Sequence, residues 1–357
     1  GVIDLSSFYS GFEMDRSKGS NKQKSTTTDV ALLIKKLVSE NVAGLVLDLR
    51  RNGGGSLEEA INLTGLFIDS GPVVQVMDAS GRKSVDEDKN EQFPGEYYKG
   101  PLVVLTSRFS ASASEILAGA LQDYDRALIV GDSSTHGKAT VQSLIQLAPI
   151  LRGSGVIATN EPGALKVTIR KFFRVSGAST QNIGVVPDIV LPSIYNDAKI
   201  GEASLENPID SGKIGSAKYE KLNRINPHLA ELKTHSAKRI SSDRDFAFLA
   251  EEIKRANESR EEKSVSLNER KRLKEKKEAE ERAKSRNKEL AARTEPPGKV
   301  YEITLKNLDI PGLPAPVIPT NFVKTVRTTI LPLNTNETAK AGGRTAETAD
   351  VRGDYAE

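Results

Sequence analysis

The stretch "SRFSASASEILAGALQDY" (107–124) sets serines at 110, 112 and 114 between an apolar run and an apolar helical pattern. Such a turn serves either as a plain helix start, with Ser114 and Glu115 at its N-terminus, or as the seat of a nucleophile. A nucleophilic serine needs a base to take its proton and donors to hold the oxyanion of a tetrahedral intermediate. Donors are available in "RNGGGS" (51–56), where Gly53, Gly54 and Gly55 offer backbone N–H groups near a positive helix end. The same loop suits a phosphate, although neither G-x-G-x-x-G nor G-x-x-x-x-G-K-[ST] occurs, and a tight turn without any ligand accounts for it equally well. Histidine, the usual base, is limited to His136, His228 and His235, the last two in a polar region. Ser112, Asp123 and His136 follow the chain order of α/β-hydrolases, but without the G-x-S-x-G elbow. Lys138, in "GDSSTHGKATVQ" (131–142), becomes a base where burial disfavours its ammonium form. Cysteine is absent, which excludes a thiol nucleophile, a disulfide framework and a cysteine metal site.

These residues require strands and helices to bring them together. Apolar runs at 43–49, 72–77, 101–106 and 127–131 alternate with helical patterns at 56–69 and 114–124. Short runs that are apolar throughout predict strands buried on both faces of an α/β core. A later pair, 164–177 and 184–193, closes this part. From 194 to 293 the chain is polar and helix-prone, ending in "NERKRLKEKKEAEERAKSRNKELAAR" (268–293), a pattern of a solvated helix held by i,i+4 pairs. Residues 294–357 form a Pro- and Thr-rich tail whose last twenty residues read as disordered. Within it, 301–319 carries enough apolar residues to dock on a partner that the sequence does not specify.

The chain of 357 residues is long enough for about two domains and a sizeable core. It begins at Gly1 inside an apolar segment, which reads as part of a longer protein. Its 51 Lys and Arg against 48 Asp and Glu leave a net charge of +3, no field to argue for nucleic acid. No apolar run approaches the length of a membrane span.

"DLRRNGGG" (48–55), "SRFSASASEILAGALQDYDRALIVG" (107–131), "HGKATVQ" (136–142) and "GASTQNIGVVPDI" (177–189) occur in the order found in the C-terminal-processing peptidases. The chain resembles the tail-specific protease branch of that family over 1–193. "SVSLNER" (264–270) with the charged helix after it resembles that branch's C-terminal domain. The resemblance implies an α/β, crotonase-like serine peptidase core followed by a mainly helical C-terminal domain at 194–293. It implies Ser112 as nucleophile, Lys138 as general base and Asp123 as a third site residue, with Gln142 supporting the lysine. A carboxylate beside Lys138 would oppose its use as a base, so Asp123 is expected to orient the helix end or the lysine loop. The N–H of Ala113 and one from Gly53, Gly54 or Gly55 would hold the oxyanion.

His136 stands where the family has an aromatic residue, and Ala139 where it has a glycine. The resemblance implies no cofactor or metal. It also implies a periplasmic setting, an upstream PDZ domain, protein substrates with apolar C-terminal tails, and an adaptor or second copy meeting the C-terminal region. Two other readings stand beside it: a non-catalytic scaffold, and a crotonase-like acyl-transfer enzyme acting on small thioesters.

Overall fold

The computed structural model describes residues 1–11, 24–88, 93, 95–153, 162–262, 264–293 and 298–317. Its elements run β1 (Val2–Asp4), β2 (Ser10–Gly11), β3 (Lys24–Ser25), α1 (Thr26–Ser39), β4 (Leu45–Asp48), α2 (Leu57–Gly65), β5 (Gly71–Asp78) and β6 (Lys83–Asp88). There follow β7 (Leu102–Thr106), α3 (Ala113–Asp123), β8 (Leu128–Gly131), β9 (Thr140–Gln146), α4 (Leu147–Gly153), β10 (Ala164–Phe173) and β11 (Ile189–Val190). Helices α5 (Leu229–Ser242), α6 (Arg244–Glu261) and α7 (Glu269–Ala291) make the C-terminal part helical, as expected.

Five strands form a parallel sheet in the order β1-β4-β7-β8-β11. Its spatial order follows the chain order, so the loops leaving β4, β7 and β8 emerge side by side at one edge. Ligand sites of parallel sheets lie at this carboxyl edge. The three loops are the glycine loop, the serine turn and the lysine loop. The core packs Leu45, Leu47 and Val104 of the sheet with Val30 and Ile34 of α1, Leu63 of α2, and Leu117 and Leu121 of α3. Leu47, Val104, Leu63, Leu117 and Leu121 are each 0–1 % exposed. Burying such a side chain fully is worth about 1.5–3 kcal/mol, which fixes the strand ends that carry the loops.

Two expectations change. Strands β4 and β7 alternate between buried and partly covered residues, so Val46, Val103 and Leu105 face a half-covered side rather than a second core. Partial cover is enough to keep those positions apolar. The run at 72–77, as apolar as its neighbours, leaves the parallel sheet and lies in an antiparallel one ordered β6-β5-β10-β9.

Helix starts follow side-chain caps: Ser25 accepts the N–H of Thr28 and Ser56 that of Glu59, both at 3.3 Å. The charged α7 buries no residue and carries the i,i+4 pairs Lys271–Glu275 and Lys274–Glu278. Among the described residues no helix is long and apolar enough to cross a membrane.

The chain divides into two compact units, Gly1–Glu280 with Thr304–Asp309, and Glu281–Ile303 with Ile310–Glu357. In the second, Val317 donates its N–H to the carbonyl of Val300. The disorder expected of the last twenty residues concerns positions outside the described residues, as do 318 and 319 of the apolar tail segment.

Candidate active site

The glycine loop follows β4 and is pinned by Asn52, a fully buried side chain. Its Nδ2 donates to the carbonyl of Leu5 at 3.0 Å, and its Oδ1 accepts the N–H of Gly54 at 2.9 Å. Gly54 and Gly55 have φ of 109° and 140°, backbone conformations that favour glycine. Space demands glycine too, since a Cβ on Gly54 would lie 2.9 Å from the Ser112 Cβ and 3.2 Å from the Ala113 nitrogen. The glycine loop and the serine turn therefore touch backbone to backbone.

The three serines have different fates. Ser110 is fully buried, donates its hydroxyl to the carbonyl of Leu49 at 2.7 Å and accepts the N–H of Ser107 at 2.9 Å. Ser114, equally buried, donates to the carbonyl of Asn52 at 2.8 Å. Both hydroxyls tie the turn to the end of β4 and its loop. Ser112 alone among them is not buried. Its φ of 55° and ψ of −112° lie where a non-glycine residue is rare, and such strain at a sharp strand-to-helix turn lifts a side chain clear of its neighbours. Helix α3 starts at Ala113 with Ser112 as its cap residue, two positions nearer the turn than Ser114 as a cap would place it. The N–H groups of Ala113, Gly53 and Gly55 have no partner among the described residues, whereas that of Gly54 is engaged by Asn52.

Glu115 joins this turn to the lysine loop. One carboxylate oxygen accepts the N–H of Ser112 at 2.8 Å and that of Lys138 at 2.9 Å. The other accepts the Thr135 hydroxyl at 2.5 Å and the N–H of Gly137 at 2.7 Å. Glu115 is 0 % exposed. Burial pushes its carboxyl up to about 7, against the opposing pull of its four donors. Sequence reasoning took Glu115 only as a helix-start residue. The signal was nonetheless present, because Ser-x-x-Glu at 112–115 is the capping-box pattern, in which the glutamate reaches back to the cap N–H. Here the same carboxylate also reaches a second loop. The Nζ of Lys138 extends toward Gln142 and donates to its Oε1 at 3.4 Å, a long contact between partly exposed and exposed residues.

Asp123, at the other end of α3, binds elsewhere. Arg174 donates to it from Nη2 at 2.6 Å and from Nε at 3.0 Å, and the Ser176 hydroxyl donates at 2.9 Å. This paired fork joins the C-terminal end of α3 to the residue that follows β10. The His136 ring lies 3.8 Å from the Glu202 carboxylate. Asp123 and His136 thus have separate partners, and the Ser112–Asp123–His136 order does not assemble into a triad.

The profile of peptidase family S41 matches residues 1–191, and that of the C-terminal domain of tail specific protease matches residues 195–309. The tail-specific protease of Haemophilus influenzae is 42% identical over 270 residues, which are 75% of this chain and 36% of that protein. The carboxy-terminal-processing protease of Bartonella bacilliformis is 39% identical over 195 residues, 52% of this chain and 41% of that one. Among solved structures, the photosystem II D1 C-terminal processing protease is 32% identical, with a TM-score of 0.41 over 53% of this chain and 42% of its own. The chain spans well under half the length of these two curated relatives.

Proposed function

The chain belongs to peptidase family S41, and from that premise we propose that it carries the catalytic centre of a serine endopeptidase acting on proteins presented by their C-terminal tails. The observation that carries the reading is the single buried carboxylate of Glu115, which accepts the N–H of both Ser112 and Lys138 and so ties nucleophile and base together.

In the proposed reaction, Ser112 Oγ attacks the scissile carbonyl carbon while the free amine of Lys138 takes the hydroxyl proton. The carbonyl oxygen becomes an oxyanion facing the Ala113 N–H and an N–H of Gly53 or Gly55, close to the positive end of α3. The Lys138 ammonium then protonates the leaving amine as the C–N bond breaks, which leaves an ester on Ser112. Water attacks that ester, Lys138 accepts the water's proton, and the proton returns to Ser112 Oγ as the second product leaves. Gln142 holds the lysine side chain between these transfers. Asp123 acts through Arg174 on the position of α3 and takes no proton.

By the same resemblance, the setting is the periplasm and the substrates are unfolded proteins with apolar C-termini, captured by a PDZ domain in the full-length protein. The peptidase core ends near residue 193 and the helical domain near 293.

The test incubates full-length protein with an unfolded substrate ending in an apolar tail, beside Ser112→Ala, Lys138→Ala and His136→Ala variants. Loss of turnover by about 10⁴-fold or more is expected for the first two, with the His136 variant still active. Cleavage by Ser112→Ala at the parent rate would overturn the mechanism.

A further inference from the structure

The loop that carries Lys138 is held from two sides. On the inner side stands Glu115. On the outer side stands a segment that lies beyond the peptidase profile and within the match to the C-terminal domain of tail specific protease. There Glu202 donates its N–H to the carbonyl of His136 at 2.9 Å, and its carboxylate lies 3.8 Å from the His136 ring. The same carboxylate accepts from Gln181 Nε2 at 3.3 Å, and Gln181 Oε1 accepts the N–H of Ala139 at 2.8 Å. Gln181 is 1 % exposed, so its amide has few other partners to turn to. Glu202 therefore grips both neighbours of the Gly137–Lys138 pair, His136 directly and Ala139 through Gln181.

The approach is built for this contact. Gly201, at φ 113°, lies so close to His136 that a Cβ would press on its carbonyl oxygen. Arg108, from the loop after β7, donates to the carbonyls of Thr135 and Ile200, which ties the start of the lysine loop to the same segment. Asn182 donates its N–H to the carbonyl of Gly137 at 2.7 Å and its side-chain amide to that of Ile209 at 2.9 Å. Every backbone position from His136 to Ala139 is thus fixed either by Glu115 or by a group that itself reaches residues 200–209.

We infer that Glu202 is a positioning residue for Lys138, and that the C-terminal domain completes the peptidase site through it. The inference rests on the Ser112–Lys138 reading above. A base displaced by about 1 Å costs on the order of 100-fold in rate, so a domain that fixes this loop sets the turnover number rather than the affinity.

The experiment uses the full-length protein and measures kcat, KM and thermal midpoint for Glu202→Ala, Glu202→Gln, Gln181→Met and Lys138→Ala on an unfolded substrate with an apolar C-terminus. Glu202→Ala is expected to lower kcat by about 10- to 100-fold while KM changes little. Glu202→Gln, which keeps the side-chain acceptor for Gln181 that Glu202→Ala removes, is expected to recover most of that loss. A role confined to stability would move the thermal midpoint and leave kcat of the folded fraction at the parent value. Should Glu202→Ala not fold, Gln181→Met removes the same link from the core side and is expected to reproduce the drop in kcat. Parent-like kcat in Gln181→Met, or in a folded Glu202→Ala, with Lys138→Ala inactive, overturns this inference alone. An active Lys138→Ala variant overturns the reading beneath it.

Discussion

Glu115 places a carboxyl that burial pushes up to about 7 between four donors. Unfolded, the same group titrates near 4.5. Between those values the native state binds more protons than the unfolded one, so this group's contribution to stability is present at low pH and is lost as pH rises from about 4.5 to about 7. Denaturant midpoints measured across this range are expected to fall more steeply for the parent than for Glu115→Gln, which has no proton to lose. Activity runs the other way. The ionised carboxylate is acceptor-only and suits all four donors, whereas the variant turns an amide N–H toward backbone N–H groups. Glu115→Gln is expected to lower kcat by about 100-fold by loosening Ser112 from Lys138. Gly54→Ala tests the neighbouring contact. Its methyl would strain a φ of 109° and press on the Ser112 Cβ at 2.9 Å, and a loss of about 100-fold or more in turnover is expected. At this scale Ser112, Lys138 and the glycines were singled out by residue type and ordered motifs as the candidates of the proposed site. Glu115 and Ser110 were not, because a helix-start role, or none, already accounted for them.

At the scale of elements, α3 is fixed at both ends, by Glu115 at its start and by the Asp123–Arg174 fork at its finish. The fork's side chains are 10% and 16% exposed, so it lies between a surface pair and a fully buried one. Removing one partner of a fully buried pair costs about 3–5 kcal/mol. Asp123→Ala is therefore expected to cost about 2 kcal/mol at partial exposure, with Arg174→Ala similar and the double variant costing less than the sum. Urea unfolding of the four proteins measures this coupling. A direct proton-relay role predicts something different for Asp123→Ala, namely lost turnover at unchanged stability, so the two measurements together separate the roles. Helix α1, which packs Val30 and Ile34 into the core, was not read, whereas helices α2 and α3 and strands β4, β5, β7 and β8 were legible from apolar runs. Sheet membership was not: 72–77 and 101–106 are equally apolar, and only long-range pairing sends β5 to the antiparallel sheet and β7 to the parallel one.

Across the whole molecule, the sequence separations that matter are the ones no local pattern carries. Arg126 is 1 % exposed and burial pushes its guanidinium down to about 10. Its Nε donates to Glu96 at 2.9 Å and to the carbonyl of Phe67 at 2.7 Å. Arg224, from the segment ahead of α5, donates to both oxygens of the same Glu96 at 2.6 and 2.7 Å. One carboxylate thus joins the approach to β7, the turn between α3 and β8 and the start of the helical part. Removing it strands a buried guanidinium beside a second one, for which the cost is about 3–5 kcal/mol. Removing Arg224 leaves Glu96 still paired with Arg126, and the cost is closer to the about 1 kcal/mol of an accessible pair. Glu96→Gln is therefore expected to be clearly less stable than Arg224→Gln in equilibrium unfolding, and Arg126→Met to recover part of the loss in the Glu96→Gln background. Equal losses for Glu96→Gln and Arg224→Gln would mean that the three charges act as surface groups and that the join between core and helical part lies elsewhere.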